Sequence, residues 1–579
     1  MIQTKKGNDM PQKPIYSRYP LMNSVQSSLS RGLVRTDAGE LISLYRKLNE
    51  FAGSPYTWEG AFSLACLICD HPADEPSAKA IIHTLADTED GSFAEIVEDD
   101  QVAAARAALA MFEYTGDKAI LKRLAKWCRW LETGWDQFTG TRWIRIQPAD
   151  LMEFLVRFYR ISGLKAVLRL CSRLRSAAMD WTTVLHHFQQ RTSLNLPDSS
   201  EEMKALYSRK DFTELDFFNT QYLTNHAEIL ADGMRYTAYS AIYSGNGQEL
   251  SAGRKGWEYI HKHHGAVCGG TTANVLLSGR GANQGIHPAA TAAWTEAMIS
   301  QMQTGTETWA MNELVRLVYN GLADCLNHAD KPGYRFINCL GGNGNSQCFD
   351  PAPEQDQDMR TTARIARAAA AVWQYAVTTG TDEIRLTYLM PGRYFVSNGN
   401  HSAILTSDGE SVHFRCKGPV DINLLLFCAE TETADISVQN GDGTEIPANT
   451  DELIRSGGGY LRIRRSWENL DTLIFHQGDR IYTEETQHRG ICIFTRNRMM
   501  SLDVSGSEYR YAVCGKPYIK NGKTFVPMKR ISRWPAADGI LSDIPVLPAG
   551  KGEALFAPLT SYPETAERVT IFPREARYE

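Results

Sequence analysis

Apolar residues recur every three or four positions over Leu41–Phe51, Ala103–Tyr114, Ile120–Leu131, Leu151–Ile161, Met311–Leu326 and Thr362–Ala376. Such spacing collects them on one face of a helix, so it predicts a long series of amphipathic helices. Ala227–Ile260 and Ala289–Gln303 carry the same period. Four short turns, at Gly116, Gly163, Gly245 and Gly305, each close one helical pattern and precede another. Glycine just past the last periodic residue is a helix stop, and the polar turn after it sends the chain back antiparallel. Helical hairpins cannot bury their apolar faces alone and must pack side by side. With roughly a dozen helices, the expected architecture is an (α/α)6-type helical barrel rather than an open solenoid.

At about Thr381 the period changes from helical to two. Glu383–Tyr388, Ser411–Arg415, Tyr460–Arg464 and Ile491–Phe494 alternate, and turn clusters such as Asn440–Gly443 and Asn521-Gly522 separate runs of this kind. Alternation gives each strand one wet and one buried face, which predicts a C-terminal antiparallel β-sandwich. The expected organisation is a partly irregular leader over 1–35, an α/α barrel catalytic domain over 36–380 and a β-sandwich domain over 381–579.

Composition narrows the function classes. The 579 residues are 43% hydrophobic and 22% charged, as in ordinary globular proteins. With 61 Lys+Arg against 67 Asp+Glu, a net charge of -6 offers no basic footprint for nucleic acid and no polybasic membrane anchor. Lys5 and Lys6 are not followed by an apolar run, and no stretch has the length and apolarity of a membrane span. The 12 cysteines are scattered, which suggests reduced thiols and a cytoplasmic chain. Assembly into a homo-oligomer is left open.

Candidate chemistry concentrates between His261 and His287, a stretch crowded with glycine and histidine that includes Cys268 and lies between helical segments. Glycine permits close backbone approach to a ligand, and long loops held by rigid helices often carry sites. The competing reading is a surface loop with solvated histidines.

Beyond these patterns, Asn225-His226-Ala227, Tyr243-Ser-Gly245, Gly256-Trp257, His264-Gly265, Glu313 to Gly321 and Gly459 to Asp471 resemble, in order and spacing, the β-L-arabinofuranosidases of glycoside hydrolase family 127. The likeness runs from about Trp58 to about Asp503. It implies a carbohydrate substrate, a zinc-bound cysteine thiolate as nucleophile, a glutamate as acid/base, and hydrolysis with retention. A metal lowers a thiol pKa, and the thiolate formed is both ligand and nucleophile. The decisive positions depart from that pattern. Val275 falls near the acid/base glutamate, and Gln284-Gly-Ile-His287-Pro-Ala289 falls where a zinc-binding Glu-x-Cys would stand.

What remains is a set of candidates. Cys339 is favoured over Cys348 as the nucleophile, and a zinc, if bound, would use His287, Cys339 and Cys348. Glu228 and Asp350 could supply carboxylates, with His287 as proton donor. His226, His264, Trp58, Arg280 and Gln284 are candidate sugar contacts; Trp143, Trp257 and Trp294 suit sugar stacking or core packing equally. Against the hydrolase stand two other readings: a catalytically silent carbohydrate-binding relative, and a lyase-like enzyme eliminating across an acidic sugar.

Overall fold

The computed structural model describes residues 34–86, 88–97, 100–138, 146–191, 224–274, 276–281, 284–304, 308–328, 335–338, 355–379, 383–398, 401–427, 435–447, 453–456, 460–476, 481–486, 490–503, 511–530, 555–565 and 568–573. Its principal helices are α1 (Gly39–Asn49), α2 (Pro55–Ile68), α3 (Pro76–Thr84), α4 (Gln101–Thr115), α5 (Lys118–Thr133), α6 (Ala149–Ser162), α7 (Lys165–Ala177), α8 (Ala227–Ser244), α9 (Gly247–His264), α10 (Pro288–Thr304), α11 (Thr308–Arg316) and α12 (Gln355–Ala376). A π-helical turn, Leu317–Gly321, carries α11 on into Leu322–Asn327.

The even-numbered helices pack in the cyclic order α2, α4, α6, α8, α10, α12 and back to α2, so six helices close an inner ring. The odd-numbered helices lie outside it. Composition explains the division. Helix α10, PAATAAWTEAMISQMQT, is buried on every side, whereas α5 and α7 present one apolar stripe inward and lysines and arginines outward. Small residues permit the close approach: a Cβ on Gly60 of α2 would stand 2.9 Å from the Ala363 carbonyl of α12. Gly116, Gly163 and Gly245 end α4, α6 and α8 in the left-handed region, as their sequence positions predict. Gly305 lies outside the described residues.

From Val377 onward the described chain is almost entirely strand. A seven-stranded sheet, which includes Thr472–His476, and a five-stranded sheet pack against each other; Phe414 of the first stacks on Trp467 of the second, ring centroids 4.2 Å apart. All four runs expected to alternate are strands. Two details differ from the expected antiparallel sandwich. Glu383–Leu386 pairs in parallel with Val420–Phe427, because the chain builds three strands of the other sheet before returning. Nine strands, the first Ile481–Glu485 and the last Phe572–Pro573, form a third sheet with its own core around Ile493, Val526 and Phe572. Period-two patterning tells which face of a strand is buried but not against what. Among the described residues, no helix is long and apolar enough to cross a membrane, and the nine described cysteines are free thiols.

Candidate active site at the barrel mouth

Each inner helix brings its N-terminal end to the same side of the ring, where Tyr56, Val102, Asp150, Glu228, Arg360 and Arg364 line a cavity of about 180 Å³. Glu228 is the first-turn carboxylate of α8, and His226 caps that helix with an extended backbone (ψ 117°). Two residues apart on a continuous helix, the pair would diverge; His226 is not helical and stays close enough to Glu228 for the two to interact electrostatically, while Glu228 alone of the two lines the cavity. His287 arrives from the strand Gly285–Ile286 and starts α10, its carbonyl accepting from Thr291 N–H (2.9 Å) and its Nδ1 from Ala290 N–H (3.3 Å).

Electrostatics bind these three into one cluster. Burial works against ionisation of Glu228, but the Arg364 guanidinium, with His226 and His287 adding to it, holds the carboxyl at about 2. Arg364 Nη1 donates to Glu228 Oε1 over 2.6 Å. For His287, burial outweighs the attraction of Glu228 and, with repulsion from His226 and Arg364, brings the imidazole down to about 4. Burial also lowers His226. Near neutral pH the cluster therefore holds one carboxylate and two neutral imidazoles.

Beneath Glu228 the ring is crossed by a layer of buried ion pairs. Arg364 also reaches Asp232 (3.0 Å); Arg235 of α8 reaches Glu296 of α10 (2.9 Å) and Asp150 of α6; Arg367 reaches Glu296 (3.1 Å); Arg106 of α4 reaches Glu59 of α2 (2.7 Å) and Glu153 of α6 (3.0 Å). All six inner helices contribute. Although burial opposes it, the surrounding arginines hold Asp150 well below the usual carboxylate range and Glu153 at about 2. Sequence reasoning missed this layer. Its signal was present: single charges inside otherwise apolar helices, such as Arg106 within Val102–Met111 and Glu296 within the wholly buried α10, can stay buried only if paired.

The other expected residues separate. His264 is fully buried and used up by backbone: Nδ1 accepts from Gly279 N–H (3.1 Å) and Nε2 meets the Gln190 carbonyl (3.0 Å), so it fastens the loop rather than lining a sugar pocket. Trp58 is 4% exposed and donates to the Ala52 carbonyl (2.7 Å), a core role rather than a stacking platform. Trp257 and Trp294 likewise pack on each other in the core, centroids 4.9 Å apart; Trp143 lies outside the described residues. Arg280 stands near Arg316 and Glu484 of the nine-stranded sheet, away from the mouth, and burial lowers its pKa. Gln284 is half-buried just ahead of Gly285, its N–H on the Gly281 carbonyl (3.2 Å).

The glycine-rich loop itself is neither solvated nor open. Gly265 to Ala273 are buried, with Gly270 N–H donating to Glu313 Oε1 (2.6 Å) and Gly321 N–H to the Cys268 carbonyl (3.0 Å). Burial pushes the Cys268 thiol up to about 12, so it is not a thiolate. Nearby, Asp324 is paired with Arg335 (2.8 Å) and Arg568 (2.9 Å), which locks the outer helices to the nine-stranded sheet.

Cys339, Cys348, Asp350 and Val275 lie outside the described residues. Asn338, the neighbour of Cys339, is pinned by the backbone of Thr570 and Ile571 (2.8 and 2.9 Å). Among the described residues no three His, Cys, Asp or Glu side chains are grouped as a metal ion would need. Ala289 carries no donor atom, and His287 uses Nδ1 on its own helix and feels the charge of Arg364. The described residues do not fit a zinc site.

No protein-family model and no curated protein matches the sequence. Solved structures do match. One described as a glycoside hydrolase is 13% identical, with a TM-score of 0.63 over 98% of this chain and 96% of its own. A family 127 β-L-arabinofuranosidase from Geobacillus stearothermophilus T6 is 13% identical, with a TM-score of 0.62 over 97% and 98%. A further family 127 β-arabinofuranosidase is 12% identical, with a TM-score of 0.59 over 99% of both chains. The resemblance read from the residues thus holds over the whole length at the level of fold: this chain has the helical barrel and C-terminal β region of the family 127 glycoside hydrolases.

Proposed function

We propose that the protein is a glycoside hydrolase taking a small glycoside or the end of an oligosaccharide into the barrel mouth. The observation that carries this reading is Glu228, which lines an open cavity at the N-terminal ends of the inner helices and has His226 and His287 as electrostatic neighbours. The full-length likeness to structures named as a β-L-arabinofuranosidase and a β-arabinofuranosidase supports a pentofuranoside such as a β-L-arabinofuranoside as substrate. In this reading the Glu228 carboxylate orients sugar hydroxyls and stabilises positive charge at the anomeric carbon, while the neutral imidazoles accept or relay a proton. Cys339 is the proposed nucleophile: its sulfur bonds the anomeric carbon as the glycosidic C–O bond breaks, and the thiol proton passes through a neutral imidazole to the departing oxygen. Water then hydrolyses the glycosyl-enzyme and returns a proton to the sulfur.

The test is turnover of a panel of aryl glycosides that includes aryl β-L-arabinofuranosides. Hydrolysis is expected, with kcat/KM falling by at least about 100-fold in Glu228→Gln and in Cys339→Ala. Unchanged activity in Cys339→Ala removes the nucleophile; unchanged activity in Glu228→Gln removes the site.

One observation favours a second reading, a catalytically silent relative that binds carbohydrate. Glu228 and Asp150, the carboxylates whose titration is displaced at the mouth, are both held ionised by arginine, so neither has a proton for the departing oxygen. Saturable sugar binding with no turnover across the panel would decide for it.

A further inference from the structure

Below the ion-pair layer, toward the C-terminal ends of the inner helices, lies a second cavity of about 120 Å³. It shares Arg235 and Arg367 with the mouth and is otherwise walled by different residues. Four aromatic rings, Phe62, Tyr114, Tyr239 and Tyr375, border it, and Ser63, Gln303 and Gln374 add short polar groups. Flat apolar rings beside amides and hydroxyls are what a sugar presents surfaces to: its C–H faces pack on the rings and its hydroxyls bond the polar groups. Four carboxylates, Glu59, Glu113, Glu153 and Glu296, are balanced on the same walls by Arg106, Arg157, Arg235 and Arg367. A charged guest would upset that balance; a neutral one would not.

Two further features point to a guest. Gln303 is 2% exposed, yet among the described residues its side-chain amide makes a single hydrogen bond, 3.5 Å long, to the hydroxyl of Tyr239, another wall residue. That is too long to satisfy a buried amide. Arg235, 2% exposed, leaves Nε without a partner among the described residues. At roughly 30 Å³ per water the volume would hold about four waters, so a small polyhydroxylated guest fills it or projects toward its open rim. Entry is open past the half-buried Ser63, Ala110, Tyr114 and Gln374.

We propose that this chamber is a second carbohydrate site, separate from the barrel mouth, which binds one small uncharged polyhydroxylated molecule between Gln303, Tyr239 and the aromatic walls. The proposal does not depend on whether the mouth hydrolyses anything. Because Arg235 and Arg367 border both cavities, a guest in the chamber also bears on the layer that supports Glu228.

The experiment is a calorimetric and saturation-transfer NMR titration of the full-length Glu228→Gln protein, whose mouth is impaired, with L-arabinose, D-galactose, glycerol and, as a charged control, D-glucuronate. Saturable binding of at least one neutral probe is expected, with glucuronate weaker. Adding Gln303→Leu or Ser63→Trp should weaken the neutral probe by about tenfold or more. Ser63 stands at the half-buried rim, so its replacement blocks entry without disturbing the buried charges; thermal melting checks that both variants are folded. Absence of saturable binding by every neutral probe means that the chamber holds water alone and overturns the proposal. Binding that survives both chamber variants in folded protein places the sugar elsewhere and overturns it equally.

Discussion

At the barrel mouth, Glu228 lines an open cavity with His226 and His287 close to it; at the glycine-rich loop, His264, Cys268 and Asp324 are shut between the outer helices and the nine-stranded sheet. Both regions hold histidine beside acid, and the loop is the richer in sequence. They differ in what their polar atoms already do. His264 gives both ring nitrogens to backbone and Asp324 gives both oxygens to arginines, whereas Glu228 meets a single arginine on one side and the cavity on the other. Crowding of reactive residue types does not identify a site; unspent bonding capacity next to space does.

The sharpest way to break this comparison is to remove one acid from each region. Asp324→Ala strands two buried guanidiniums and should cost about 3–5 kcal/mol of stability by denaturant unfolding. Glu228→Ala should cost far less, since Arg364 keeps Asp232 and Glu296; equal losses would show that Glu228 is as structural as Asp324. Next, His264→Ala leaves the Gly279 N–H and the Gln190 carbonyl unmatched and should destabilise by about 2 kcal/mol, with sugar binding intact. A drop in affinity without a drop in melting temperature would restore His264 to the site.

Acid titration sharpens the mouth. The folded His287 imidazole sits at about 4 against an ordinary 6.5, so between those values the unfolded chain takes up a proton that the folded chain refuses. Stability is complete above about pH 6.5 and falls as the pH drops toward 4. Glu228, at about 2 against 4.5, extends the loss from pH 4.5 down to 2. His287→Gln should flatten the upper part of the stability profile; an unaltered profile would contradict the cluster. Smallest is Trp58→Phe, which removes one hydrogen bond, at about 1 kcal/mol, and leaves sugar affinity unchanged; weaker binding would return Trp58 to a stacking role.

The helices, their glycine stops and the strands were legible because local periodicity fixes them. Closure into a ring followed from the number of hairpins. The charged layer was not read, although Arg106 and Glu296 stood out in apolar surroundings, because a buried charge reveals its partners only once distant helices are brought together. Glu228 was named beside His226, but its strength as a candidate depended on the extended backbone of His226, which helical spacing alone could not foretell. The loop misled for a related reason: its glycines permit tight burial as readily as ligand approach, and Gly269 and Gly270 spend their freedom packing beside Leu317.

The guanidiniums of Arg106, Arg235, Arg364 and Arg367 each join helices that come from different hairpins. No inner helix can therefore swing out by itself without stranding charge in its neighbours, and the amide protons of all six should exchange together, at the rate of global opening. Dissolved salt, which loosens ion pairs at a surface, has little purchase inside that circle.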